Sequence, residues 1–317
     1  MTTTSSADAG TLPPSSVHVT KHEPGVSLYL KLTGMAVAWG GTFIAGRLLA
    51  QTMPHFAAAA GRYLVASLCL VALAFFKEGG LPRLKPRQVL LTAALGATGV
   101  FLYNMFFFGA LGHLPASRTA LIVALNPGMT ALAVALVYHE RLAWFRWLGI
   151  IGAFFGVAIV LSRGHLGGLL SGGIGVGELL MMGGALSWAL YTVIGRSALG
   201  ALSPIAATAY ASLWGTLFLG IGAATEWGDL HLAQLSVTNL LAIVYLGAIG
   251  TAVGFVWYYQ GVKTIGPTRT AVFNNLVPVF GVLLGVTLLG ESLHWSMIVG
   301  GLVALGGVML VNRSGRR

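Results

Sequence analysis

Charge is what this sequence has least of. Only 8% of its 317 residues are Asp, Glu, Lys or Arg, against about 25% in an ordinary soluble domain. With 56% hydrophobic residues and a mean hydropathy of +0.84, the chain has too little polar surface to stay in water as a globule. Acids are scarcest: Asp8, Glu23, Glu78, Glu140, Glu178, Glu226, Asp229 and Glu291 are all there are, nearly all in tails, at the ends of apolar runs or between them. That excludes the paired carboxylates with which intramembrane transferases hold metal. The single cysteine, Cys69, excludes an intrachain disulfide and a thiolate metal site. His55, His113, His165, His231 and His294 fall in turns or at span edges without metal-ligand spacing. No metal, no cofactor and no enzymatic activity are expected.

Other features are missing as well. Residues 1–25 are polar, contain Pro13 and Pro14 and lack the apolar core of a signal peptide; they read as a disordered cytoplasmic tail. The formal charge of +10 comes from scattered basic residues with no stripe or cluster, so no nucleic-acid partner is expected. The apolar runs do not alternate in period two, which argues against an outer-membrane barrel.

What is present is a series of ten apolar segments, at 28–49, 55–76, 88–111, 117–138, 143–162, 175–197, 204–224, 237–260, 267–289 and 293–312. Each approaches the ~20 residues that a helix needs to cross a ~30 Å hydrocarbon core. The chain also repeats itself. A shift of 151 carries Arg118, Pro127, Glu140, Leu142, Trp144, Gly149 and Gly156 onto Arg269, Pro278, Glu291, Leu293, Trp295, Gly300 and Gly307. A shift of 149 carries Trp39, Gly46 and Arg47 onto Trp188, Gly195 and Arg196, and a shift of 150 carries Pro54 onto Pro204. Five spans per half is an odd number, so the halves, 26–162 and 175–312, enter the membrane in opposite senses. The expected fold is therefore an all-α integral membrane protein, a five-plus-five inverted-topology repeat around a central cavity.

Lys and Arg set the expected orientation. With both termini cytoplasmic, fourteen basic residues lie inside, the short basic tail 313–317 among them, and four lie outside: Arg47, Arg62, Arg118 and Arg163.

Trp39-Gly-Gly-Thr-Phe43, Gly61-Arg-Tyr-Leu64 and the stretch from Ala116 through Asn126-Pro127 and Glu140-Arg-Leu142 to Gly149, repeated at Pro267–Gly300, together resemble the drug/metabolite transporter superfamily in its ten-helix EamA-type branch. The resemblance covers about residues 28–312. It implies a secondary transporter of the plasma (bacterial inner) membrane. Its first, third, fourth, sixth, eighth and ninth helices would surround the cavity, and its fifth and tenth would form a scaffold. Members export amino acids, other metabolites, nucleotide sugars and drugs, and the overall pattern is nearest to exporters of aromatic amino acids.

Candidate binding residues come from the helix faces. Trp39, Thr42, Phe43 and Gly46 share one face at i, i+3, i+4 and i+7, and Trp188, Tyr191, Thr192 and Gly195 repeat that spacing. Tyr103, Asn104 and Phe107 lie in the third span and Tyr258 in the eighth; the 151 shift pairs Phe107 with Tyr258, whereas Phe106 and Phe108 are assigned to lipid or neighbouring helices and Tyr259 to the membrane interface. Asn126 stands beside Pro127, and Asn274 and Asn275 lie one turn before Pro278. A proline frees the carbonyl one turn earlier, and an adjacent asparagine supplies a donor and an acceptor. For each of these residues plain interhelical packing remains the competing reading. Arg62 is expected to reach for the outer interface or cap a carbonyl, Arg118 and Arg269 to organise loops, Glu140 and Glu291 to act structurally, and Glu178 to face water at a span end.

An aromatic and polar interior without an acid suits a zwitterion better than a lipophilic cation, which calls for a carboxylate, or a nucleotide sugar, which calls for several cations. The expected partners are small zwitterionic or neutral metabolites, chiefly amino acids, and the lipid bilayer, with the monomer as the functional unit; a non-transporting sensor or scaffold is the rival of a different class. In a variant lacking Cys69, single cysteines should show both termini and residues 77–87 reacting from the cytoplasm and 225–236 from outside. Termini on opposite faces would remove the five-plus-five reading.

Overall fold

The computed structural model describes residues 26–163, 174–228, 235–265 and 267–313, and every regular element among them is helical. Tail residues 1–25 and 314–317, His165, Asp229, His231 and the side chains of Tyr259 and Arg269 lie outside the description. Ten rods follow one another. They are α1 (Val26–Thr52), α2 (His55–Glu78), α3 (Pro86–His113), α4 (Ala116–Tyr138), α5 (Trp144–Leu161), α6 (Val176–Ala198) and α7 (Pro204–Thr225), then α8 (Val237–Val244, Tyr245–Val253 and Gly254–Ile265), α9 (Pro267–Asn274 and Leu276–Leu289) and α10 (Trp295–Val311). Nine are long and apolar enough to cross a membrane. The tenth, with 17 residues, rises about 25 Å and stands at the lower limit for a span.

Contacts between helices interconvert under the repeat. α1 packs on α9 as α6 packs on α4, α1 on α8 as α6 on α3, and α3 on α7 as α8 on α2, while α2 with α7, α4 with α9 and α5 with α10 are self-related pairs. The first eight of these contacts close a ring in the order α1, α9, α4, α6, α3, α7, α2, α8. The α5–α10 pair stands beside it against α4.

That outer pair is a contact of glycine on backbone. A Cβ at Gly149 would come within 2.6 Å of the Gly307 carbonyl oxygen and 2.7 Å of Val311 N, and one at Gly156 or Gly307 would collide with backbone of Ala304 or Ala153. Lipid offers no hydrophobic drive between helices, so close van der Waals approach over small residues supplies the association. Gly306, by contrast, has open space where its Cβ would be.

Acids from one half finish helices of the other. The start of α2 follows Pro54 and the start of α4 follows Pro115, and neither proline caps its helix through a side chain. Unpaired N–H groups at a helix start are costly to bury and favour a negative partner. Glu226, closing α7, accepts from Phe56 N at 2.9 Å and Ala57 N at 3.2 Å. Glu291 accepts from Ala116 N at 2.7 Å and Ser117 N at 2.9 Å. Glu78, closing α2, accepts in turn from the hydroxyl of Ser203, the N-cap of α7, at 2.7 Å. The structural role read for Glu291 from the sequence takes this form, and Glu140 pairs with Arg196 at 2.8 Å.

Gly307→Ala and Gly156→Ala should each destabilise the protein by about 1–3 kcal/mol through overpacking of α5 on α10, and Gly306→Ala should leave stability unchanged. Thermal denaturation of the detergent-purified variants reads the difference, and three equal melting temperatures would contradict it.

Candidate functional site

Four helices of the ring carry irregular stretches. α3 widens into a π-helical turn over Gly96–Leu102, and α8 does so over Tyr245–Val253. α4 tightens to a 3₁₀ turn over Val123–Leu125 just before Asn126-Pro127, and α9 breaks at Asn275, three residues before Pro278. Such turns leave backbone carbonyls without ideal partners, and in a membrane they are tolerated where protein surrounds them. The two π turns are repeat-related: a shift of 151 carries Gly96 and Gly99 onto Gly247 and Gly250.

Aromatic side chains converge on these turns. On α1, Trp39 donates its indole N–H to the Gly250 carbonyl at 2.8 Å and lies 5.7 Å from Phe255 and 5.9 Å from Tyr258, centroid to centroid. Tyr245 donates to Ala38 O at 2.9 Å, its hydroxyl filling the space that a Cβ at Gly41 would need. Phe43, one turn beyond Trp39, meets Phe107 at 5.5 Å. Phe107 stacks on Tyr103, Tyr103 meets Trp188 at 5.5 Å, and Trp188 meets Tyr191 at 5.4 Å. The ring of Tyr191 occupies the place of a Cβ at Gly99. One run of rings thus links α1, α3 and α6, and Trp39 makes a second group between α1 and α8.

The two halves are not used alike. Trp188, the counterpart of Trp39, has no hydrogen bond from its indole N–H among the described residues; its neighbour Ser187 donates instead to Thr98 O at 2.6 Å. Thr42 and Thr192 donate back to Trp39 O and Trp188 O on their own helices, leaving their oxygens free only to accept. Phe107 and Tyr258, paired by the repeat, do not touch each other in the recorded ring contacts; each meets an aromatic of α1.

Asn126 and Asn275 lie on α4 and α9, outside those ring contacts. The amide oxygens of Asn126 and Asn274 and the amide nitrogen of Asn275 are buried without a partner. Buried polar atoms are ordinarily satisfied, and an orphan costs ~1–3 kcal/mol. Asn104 is fully buried and donates to Val100 O at 2.7 Å. Phe108 is fully buried, edge-on to Phe107, and Phe106 lies on Gly183 and Gly184 of α6, so both turn to protein.

Two charged residues depart from expectation. Arg62 does not reach for the interface: it is 8% exposed, with Nη1 3.1 Å from Asn104 Oδ1 and Nη2 3.5 Å from Thr251 Oγ1. Gly247 lets the backbone of α2 approach α8 here, since a Cβ there would press on Arg62 O and Val65. Glu178 does not face water: it is 5% exposed and pairs with Arg118 at 2.9 Å, while Arg118 also donates to Leu161 O at the end of α5. Sequence reasoning missed the glycines of the π turns and the inward course of Arg62. The shift that maps Gly99 onto Gly250 was the available signal for the first. An arginine two turns inside an apolar run was the signal for the second.

A profile of the EamA-like transporter family matches residues 27–162 and 175–313. The uncharacterized transporter YyaM of Bacillus subtilis is 26% identical over 284 residues, 90% of this chain and 93% of its own length. A probable terminal-alkyne amino-acid exporter of Streptantibioticus cattleyicolor is 27% identical over 89% of this chain and 92% of its own. The uncharacterized inner membrane transporter YedA of Escherichia coli is 28% identical over 84% of each. One crystal structure shares the fold with a TM-score of 0.61 at 21% identity, covering 90% of this chain and 96% of that one.

Trp39→Phe keeps a ring but loses the bond to Gly250, and should cost about 0.6–1.7 kcal/mol, the range of hydrogen bonds between membrane helices. Trp188→Phe loses no such bond and should unfold as the parent does. Equal destabilisation in chemical denaturation would contradict the asymmetry.

Proposed function

The chain belongs to the EamA-like transporter family and is a multi-pass membrane transporter, and we propose that it exports amino acids, aromatic and large neutral ones included, by alternating access. The observation that carries the reading is the pairing of an aromatic interior with orphaned amide groups and no acid. Asn126 and Asn274 offer buried acceptors suited to an ammonium, and Asn275 a buried amide donor. The rings of Trp39, Phe43, Tyr103, Phe107, Trp188, Tyr191 and Tyr258 take an apolar side chain, and Thr42, Asn104 and Thr192 complete the polar lining. We assign the substrate site to these residues together with Asn126 and Asn275. The relative from Streptantibioticus whose name denotes an amino-acid exporter supports this substrate class.

Glu178 is ten residues, about 15 Å along the helix axis, from Trp188, and is engaged by Arg118. With the buried acid held there, transport runs down the substrate gradient or as exchange. We place the termini in the cytoplasm of an inner-membrane protein, by the fourteen-to-four distribution of Lys and Arg, with residues 26–162 and 175–312 as the two exchanging halves of a functional monomer.

In liposomes holding the purified protein, phenylalanine, leucine or methionine counterflow should proceed without an imposed pH gradient and persist in Glu178→Gln. Flux that requires a proton gradient and vanishes in that variant would replace uncoupled transport with proton coupling through Glu178. Flux of lipophilic cations in place of amino acids would overturn the substrate class.

A further inference from the structure

The geometry points to Arg62 as the anchor for a carboxylate on the transported substrate. This deepens the amino-acid reading and rests on it for the choice of probes, but the chemistry it specifies is the carboxylate alone.

Arg62 is the eighth residue of α2, about 10 Å along the axis from its start, and the residue is more than nine-tenths buried. A permanent cation inside a membrane protein costs at least ~2.5–3.5 kcal/mol unless something compensates it, and buried charges are ordinarily paired. The ion pairs among the described residues are Arg118 with Glu178 and Arg196 with Glu140; neither involves Arg62. What holds the guanidinium is neutral. Asn104 Oδ1 and Thr251 Oγ1 accept from Nη1 and Nη2, and the faces of Tyr63 and Phe107 lie 5.3 and 5.7 Å from its central carbon. These contacts orient the group without cancelling its charge. A guanidinium has five N–H donors in a planar fork, and Nε is buried with no partner at all.

The two acceptors are themselves aimed by the π turns. Asn104 donates its amide to Val100 O, inside the turn of α3, which directs its oxygen at Arg62. Thr251 donates its hydroxyl to Leu246 O, inside the turn of α8, which leaves its lone pairs for Arg62. One carbonyl from each repeat-related turn therefore presets the arginine. The guanidinium also lies against Phe107, the ring that joins Phe43 to Tyr103 and, through it, Trp188. A carboxylate seated on the free edge of the fork, where planar bidentate pairing is strongest, places an adjoining apolar side chain among those rings.

Binding to the full-length protein in detergent, read by intrinsic tryptophan fluorescence, tests the assignment with L-phenylalanine, L-phenylalaninamide and 3-phenylpropanoate. The two carboxylates should bind the parent roughly tenfold or more tighter than the amide, as expected for a charge-assisted pair. Arg62→Gln should lower their affinity to that of the amide and leave the amide unchanged, and Arg62→Lys should fall between. A merely structural arginine predicts instead that all three ligands weaken together, and that result overturns the proposal. So does an amide that binds the parent as tightly as phenylalanine, or failure of both carboxylates to bind. If Arg62→Gln does not fold, the parent's preference for acid over amide and the Arg62→Lys variant decide the matter. Phenylpropanoate that binds through Arg62 while phenylalanine does not would retain the anchor and remove the amino-acid reading. Phenylalanine that binds Arg62→Gln undiminished would do the reverse.

Discussion

Every backbone polar group that enters hydrocarbon must find its partner within the protein, and the rest of this structure follows from that constraint. It makes all the described elements helices, and it decides where helices can depart from regularity. The π turns of α3 and α8, the tight turn of α4 and the break in α9 belong to helices of the eight-membered ring. The α5–α10 pair, pressed together over glycine, stays regular. Irregular backbone leaves carbonyls such as those of Gly250, Val100 and Leu246 for side chains of the protein to use.

The same constraint governs charge. Glu226 and Glu291 sit where helix starts expose unpaired N–H groups, and each serves a helix of the other half. Arg118 and Glu178 neutralise each other near the ends of α4 and α6. Arg62 breaks this pattern by being buried against neutral acceptors. The duplication adds a second layer: Trp39 is bonded to Gly250 and Trp188 is not bonded to its equivalent, so homologous positions hold different contacts in one conformation.

Ten apolar runs, a 151-residue shift and the scarcity of acids determined a duplicated membrane protein by themselves, because hydropathy and odd span number act on the chain before any packing is known. The face of Trp39, Thr42 and Phe43 was legible for a similar reason: 3.6-residue periodicity places side chains on a helix whatever lies opposite. Phe107 and Tyr258 were legible as a repeat pair, but not their separate partners on α1, since a shift in sequence relates positions and not contacts. Tertiary structure alone decided the direction of the long polar side chains. An arginine two turns into a span can extend to water or fold inward, and the choice depends on what the neighbouring helices present. Here Asn104 and Thr251, held by carbonyls of two widened turns, present acceptors from α3 and α8, and those three helices meet only once the chain has folded.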